Sequence, residues 1–153
     1  MEANPFAALI SNVPLITAVI ALALAQIFKV LVDYWRTKSW RTALFISTGG
    51  MPSSHSALVT SLALSIGIRN GFGTPLFAIC AVIAMVVMYD AAGVRRAAGK
   101  QAEAINFIFE KMIDQGYTLD EKLKVLLGHK PIEVIAGGLL GLIVASVSGA
   151  VIR

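Results

Sequence analysis

Four long apolar stretches separated by polar ones leave this chain few folds to choose from. They run from Pro5 to Val32, Ser54 to Ile68, Pro75 to Ala92 and Pro131 to Ile152. About 20 mostly apolar residues carry a helix across a bilayer, where only helices and closed barrels satisfy their own backbone polar groups. Of 153 residues, 57% are hydrophobic and 14% charged, so such crossings consume more than half of the chain and leave no room for a separate soluble domain. The expected fold class is all-α. Four to five transmembrane helices plus an amphipathic surface helix form one membrane-embedded domain over residues 1–153.

The stretches differ in ways that predict their surroundings. Gln26 and Lys29 interrupt the first near its end, and polar groups at that depth should face other helices or water. The second is short and rich in Ser, Thr and Ala, and the fourth is Gly-rich (AGGLLGLIVASVSGAV), compositions that permit close helix packing. Pro75 and Pro131 suit the first turn of a helix. In the polar stretch from Arg95 to Lys130, Ala102, Ile105, Phe109, Met112 and Ile113 recur at helical spacing. They lie opposite Arg96, Lys100, Glu103, Glu110, Lys111 and Asp114. This pattern predicts an amphipathic helix on the membrane surface or against the bundle. Thr118 and Glu121 predict a capping box for a short helix through Leu127.

The start, MEANPF, lacks the basic residues of a cleavable leader, so the N-terminus is expected to stay on. Threading four crossings puts about eleven of the thirteen cations on one side, with Arg69 and Arg153 on the other. That side is expected to be cytoplasmic in a multi-pass protein of the cell membrane, with both termini extracytoplasmic. The net charge of +4 is then a topological signal, and no nucleic-acid partner is expected. Cys80, inside LFAICAVIAMVV, has no second cysteine for a disulfide, a paired-cysteine zinc site or a redox motif.

Both histidines fall at the cytoplasmic ends of apolar stretches. His55 lies in GGMPSSHSA, where glycines and a proline break the chain and serines lead into a helix. The unpaired N–H groups of a helix start attract anions; equally, Ser53 or Ser54 simply caps the helix and His55 packs in its first turn. His129 lies in LGHKPIEVIAGG, four residues before Glu133. That spacing lets the carboxylate hold one ring nitrogen and leave the other a better nucleophile. Equally, Glu133 complements a helix start. Lys29 and Arg36, with six residues between them, and the Arg95–Arg96 pair supply cations suited to phosphate oxygens or to lipid head groups.

In order along the chain, Lys29 and Arg36, PSSH at Pro52–His55, and His129 with an acid four residues on resemble a known three-part signature. It belongs to the type 2 phosphatidic acid phosphatase superfamily, which includes vanadium haloperoxidases and bacterial acid phosphatases. The strings GGMPSSHSA, DAAGVRRAAGKQAEAIN and GHKPIEVIAGGLLG look like its small divergent membrane branch, over about Lys29 to Gly141. The chain departs from the wider pattern at Thr37, where a proline is usual, and at Ser54, where glycine is. Leu123 also stands in place of an arginine and Glu133 in place of an aspartate. Arg95 or Arg96, with Lys122 or Lys124 behind them, is the expected substitute for the missing arginine.

The resemblance implies that His129 attacks phosphorus, Glu133 orients it and His55 protonates the leaving oxygen. Water then hydrolyses a phosphohistidine. Lys29, Arg36, Ser53, Ser54 and Arg95 or Arg96 would bind the phosphoryl oxygens, with no metal or other cofactor. Placement at a membrane surface suggests a lipid phosphate monoester or diphosphate as substrate, with membrane lipids around it; a homo-oligomer is compatible. A lapsed enzyme kept as a lipid-phosphate-binding scaffold, and a small oligomeric channel or transporter, are the rival classes. Whether residues 42–51 re-enter the bilayer is open at this level.

Overall fold

The structure is a computed structural model describing residues 4–40, 50–114 and 129–152. The expected helix over Thr118–Leu127, and almost all of the segment 42–51, lie outside the described residues.

Among the described residues there are six helices, most of them bounded by identifiable caps. The first apolar stretch divides into α1 (Pro5–Ile10) and α2 (Val13–Thr37) because Asn12 starts a new helix, its Oδ1 accepting the Leu15 N–H at 3.2 Å. The longer helix ends where Lys38 turns left-handed, at φ 55°. Ser53 caps α3 (Ser54–Asn70), which stops at Gly71, φ 97°. Thr74, whose Oγ1 accepts the Phe77 N–H at 3.3 Å, and Pro75 open α4 (Pro75–Ala92). Beyond Gly93 comes α5 (Val94–Asp114), the expected amphipathic helix, touching only α4 among the described elements. Pro131 opens α6 (Pro131–Val151).

The second apolar stretch forms the centre of the bundle. α3 packs against α2, α4 and α6, and α6 also touches α2 and α4. Among the described residues, three helices are long and apolar enough to cross a membrane: α2, α4 running on into α5, and α6. Their outward faces, Ile79, Val82 and Val86 on α4 and Ile135, Leu139 and Ile143 on α6, are exposed, as lipid-facing surface must be. α3 instead buries Ser54, Ser56, Thr60, Ser61 and Ser65. Its polarity is tolerable because it meets protein and its hydroxyls bond within the helix. Thr60 Oγ1 donates to the Ser56 carbonyl at 2.7 Å and Ser61 Oγ to that of Leu58 at 3.0 Å.

Polar contacts fix which helix ends lie together. The Ser53 N–H donates to the Glu133 carbonyl at 2.9 Å and Arg69 Nη1 to the Ile152 carbonyl at 2.9 Å, so α3 and α6 run parallel. Thr17 Oγ1 meets Ser148 Oγ at 2.8 Å, so α2 runs opposite to both. The C-terminal end of α2 and the N-terminal ends of α3 and α6 therefore share one end of the bundle.

Glycine makes the central contact possible. A methyl group on Gly137 would collide with the Ser53 carbonyl; one on Gly141, four residues on, would run into Thr60 Oγ1 and, at 2.5 Å, the Ala57 carbonyl oxygen. Thr60 Oγ1 also reaches the Gly138 carbonyl at 3.2 Å. α3 and α6 thus meet backbone to backbone over small residues, without a hydrophobic driving force from water. Gly141→Ala is expected to destabilise the bundle by about 1–3 kcal/mol, the usual penalty for overpacking. Leu139→Ala, on the lipid-facing side, should change stability far less; thermal unfolding in detergent compares them.

Candidate active site

The end of the bundle where α3 and α6 begin gathers most of the residues singled out from the sequence. At the start of α6 a single carboxylate oxygen, Glu133 Oε2, accepts the Lys130 N–H at 3.1 Å and faces His129 Nδ1 at 3.1 Å. Helix complementation and histidine orientation, alternatives in the sequence, are thus performed by the same atom. An ionised carboxylate can only accept, so Nδ1 carries the hydrogen of this bond. The other ring nitrogen, Nε2, is buried in a side chain only 1% exposed and has no hydrogen-bond partner among the described residues. Buried polar atoms are nearly always satisfied, which marks this nitrogen as a candidate to meet a ligand atom.

The start of α3 is tied to the same point. Ser53 Oγ accepts from the Ser56 N–H at 3.3 Å and the Ser56 hydroxyl at 3.0 Å, so Ser53 is the helix cap. Its own backbone N–H donates to the Glu133 carbonyl, and Gly137 lets the two backbones approach. Two helix N-termini therefore lie side by side, and their partial positive charges add at one spot. His55, in the first turn of α3, presents its ring edge-to-face to His129, with centroids 6.5 Å apart and planes at 64°. At this separation the two rings are direct neighbours, so both histidines border the same end of the bundle and can face one anion from adjacent positions.

Lys29 comes in from α2, only 2% exposed although it carries an ammonium group. Its stem lies against Gly50, where an added Cβ would sit 3.1 Å from Lys29 Cγ and where φ is 98°. Gly50 supplies both the left-handed turn and the space. The Glu133 carboxylate lies near enough for its negative charge to offset part of the cost of this burial.

The structure brings Lys29, Ser53, Ser54, His55, His129 and Glu133 together, with Ser54 buried in the first turn of α3. It does not bring Arg36 into this cluster. Seven residues beyond Lys29, about 10 Å along the helix axis, Arg36 is exposed on a face it shares with Phe28, Val32 and Trp35. Arg95 and Arg96 stand in the first turn of α5, and Lys122 and Lys124 lie outside the described residues. Sequence reasoning missed the steric roles of Gly50 and Gly137. Their signal was a glycine beside each histidine motif, and its meaning depends on a neighbour far away in the chain. Among the described residues no three His, Cys, Asp or Glu side chains cluster as metal ligands would.

A family model described as the divergent PAP2 family matches residues 10–144. The chain belongs to this family. The match takes in all six clustered residues, so the site is built within the part that divergent PAP2 proteins share. A relative 40% identical over 150 residues, covering 91% of this chain and 95% of its own length, is "Uncharacterized membrane protein YuiD" of Bacillus subtilis (strain 168). No solved structure matches. Membership in the divergent PAP2 family agrees with a multi-pass membrane bundle and with the resemblance carried by the three motifs.

Removing the carboxylate should be felt twice. Glu133→Ala leaves the Lys130 N–H and His129 Nδ1 without their acceptor and is expected to cost about 1–3 kcal/mol. Glu133→Gln keeps an acceptor oxygen and should cost less. Thermal unfolding gives the energies, and ¹⁵N spectra of labelled histidine report whether Nδ1 of His129 keeps its hydrogen.

Proposed function

We propose that this protein is a membrane phosphatase that hydrolyses a lipid phosphate monoester or diphosphate through a phosphohistidine on His129. The observation that carries the reading is the buried, unpartnered Nε2 of His129, with Nδ1 held by Glu133 and the His55 ring facing it. Family membership adds weight without specifying a reaction.

In the first step Nε2 donates its lone pair to phosphorus, the P–O bond to the lipid breaks, and His55 gives its proton to the departing oxygen. Neutral His55 then takes a proton from water as the water oxygen attacks the phosphohistidine. The P–N bond breaks and inorganic phosphate leaves. Phosphoryl transfer asks mainly for positioning and charge stabilisation, and the buried Lys29 ammonium and two helix N-termini provide fixed positive charge. Ser53 and Ser54 line the helix start where phosphoryl oxygens would sit. Arg36 and Arg95 or Arg96 are assigned to the outer rim, where they meet phosphate as the substrate arrives from the membrane surface.

Sidedness belongs to the same proposal. The excess of cations in the sequence segments flanking the histidines supports placing that end in the cytoplasm. The substrate is then a lipid of the inner leaflet, with its phosphate reaching the end of the bundle where α3 and α6 begin and its chains remaining in the bilayer.

Phosphate release from purified protein in detergent, over a panel of phosphatidic acid, phosphatidylglycerophosphate and polyprenyl phosphates, tests the reading. His129→Ala should lower turnover at least about 10³-fold with unfolding temperature retained, and His55→Ala about 10²- to 10⁴-fold. Because His129 must be neutral and His55 protonated at the start, turnover should fall on both sides of a pH optimum. Vanadate should inhibit. Undiminished turnover in His129→Ala would remove the nucleophile assignment, and phosphate binding without release would favour a lipid-phosphate-binding scaffold.

A further inference from the structure

The end of the bundle away from the histidines carries a second feature. α2 and α4 both pack on α3, yet among the described residues they do not touch each other. Between them, toward the N-termini of α2 and α4, lies a cleft of about 580 Å³. Leu15 and Leu76 wall it, and Leu62 and Ile66 of α3 form its floor; Asn12 and Arg69 stand at its mouth. Volumes of this size hold ordered small ligands.

We propose that this cleft binds an anionic phospholipid, with a hydrocarbon chain between α2 and α4 and its phosphate on Arg69. Arg69 lines the mouth, and its Nη1 donates to the Ile152 carbonyl at the end of α6 at 2.9 Å, which anchors one nitrogen of the guanidinium. A guanidinium has five N–H donors, so others remain for two phosphate oxygens. The starts of α2 and α4 at the same mouth add positive partial charge, and the walls are apolar. The floor residue Ile66 is only 8% exposed, so α3 closes the cleft from beneath with apolar side chains suited to an alkyl chain. Since Arg69 and His55 lie at opposite ends of α3, the lipid held here sits in the opposite leaflet and is a structural ligand, not the substrate.

Native mass spectrometry of the full chain from mild detergent tests this, with phosphatidylglycerol and phosphatidylcholine added separately. One phosphatidylglycerol should be retained per chain, in preference to phosphatidylcholine. Arg69→Gln should weaken phosphatidylglycerol retention about tenfold and erase the preference, as loss of a charge-assisted contact does. Leu15→Trp, on the exposed side of the slot, should weaken both lipids, with unfolding temperature checking that each variant is folded. Equal retention of the two lipids by the unaltered protein, or retention untouched by both substitutions, overturns the proposal. So does loss of phosphatidylglycerol in His129→Ala with none in Arg69→Gln, which places the lipid at the histidine end, or a dimer that shuts lipid out.

Discussion

The close approach of α3 to α6 is the constraint on which everything else rests. Two helices that each start with a histidine motif can present those histidines to one another only if their backbones come nearly into contact. Gly137 and Gly141 allow that approach, and the bond from the Ser53 N–H to the Glu133 carbonyl fixes its register at the end that matters. In a bilayer, lipid chains are as apolar as leucine, so tight van der Waals contact between small residues has to supply what hydrophobic burial supplies in water. The same contact explains why α3 can be so polar. Packed against α2, α4 and α6, it turns its serines and threonines toward protein, where they are not costly.

Once the two helix starts are joined, the electrostatics follow. A lysine buried in the membrane bundle beside Gly50, a carboxylate that both closes a helix start and holds an imidazole, and the positive ends of two helix dipoles meet at one place. Each element has a structural purpose of its own. Their convergence on one unpartnered nitrogen, His129 Nε2, turns a well-capped pair of helices into a candidate reaction site.

Much of this was legible in the sequence because apolar length, proline and cap residues act locally. The helices of the second, third and fourth stretches begin at Ser54, Pro75 and Pro131, where the cap and proline signals stand, and the four-residue step from His129 to Glu133 became a contact. The division of the first stretch at Asn12 was not read, since Ser11 and Asn12 hardly interrupt its hydrophobicity although Asn12 caps a new helix. Equally hidden was the fate of the cations. Lys29 and Arg36, seven residues apart, share a nominal helix face, but one turns into the bundle under Gly50 while the other stays exposed beside Trp35. Burial of that kind depends on which neighbour is a glycine, and no periodicity along α2 reports it.

The central claim is that His129 becomes covalently phosphorylated. Rapid mixing with a ³²P-labelled lipid phosphate, alkaline quenching and peptide mapping address it directly. The account predicts label that survives base, is lost in acid, and maps to the peptide containing His129. Turnover without any such adduct, or label on another residue, would contradict it.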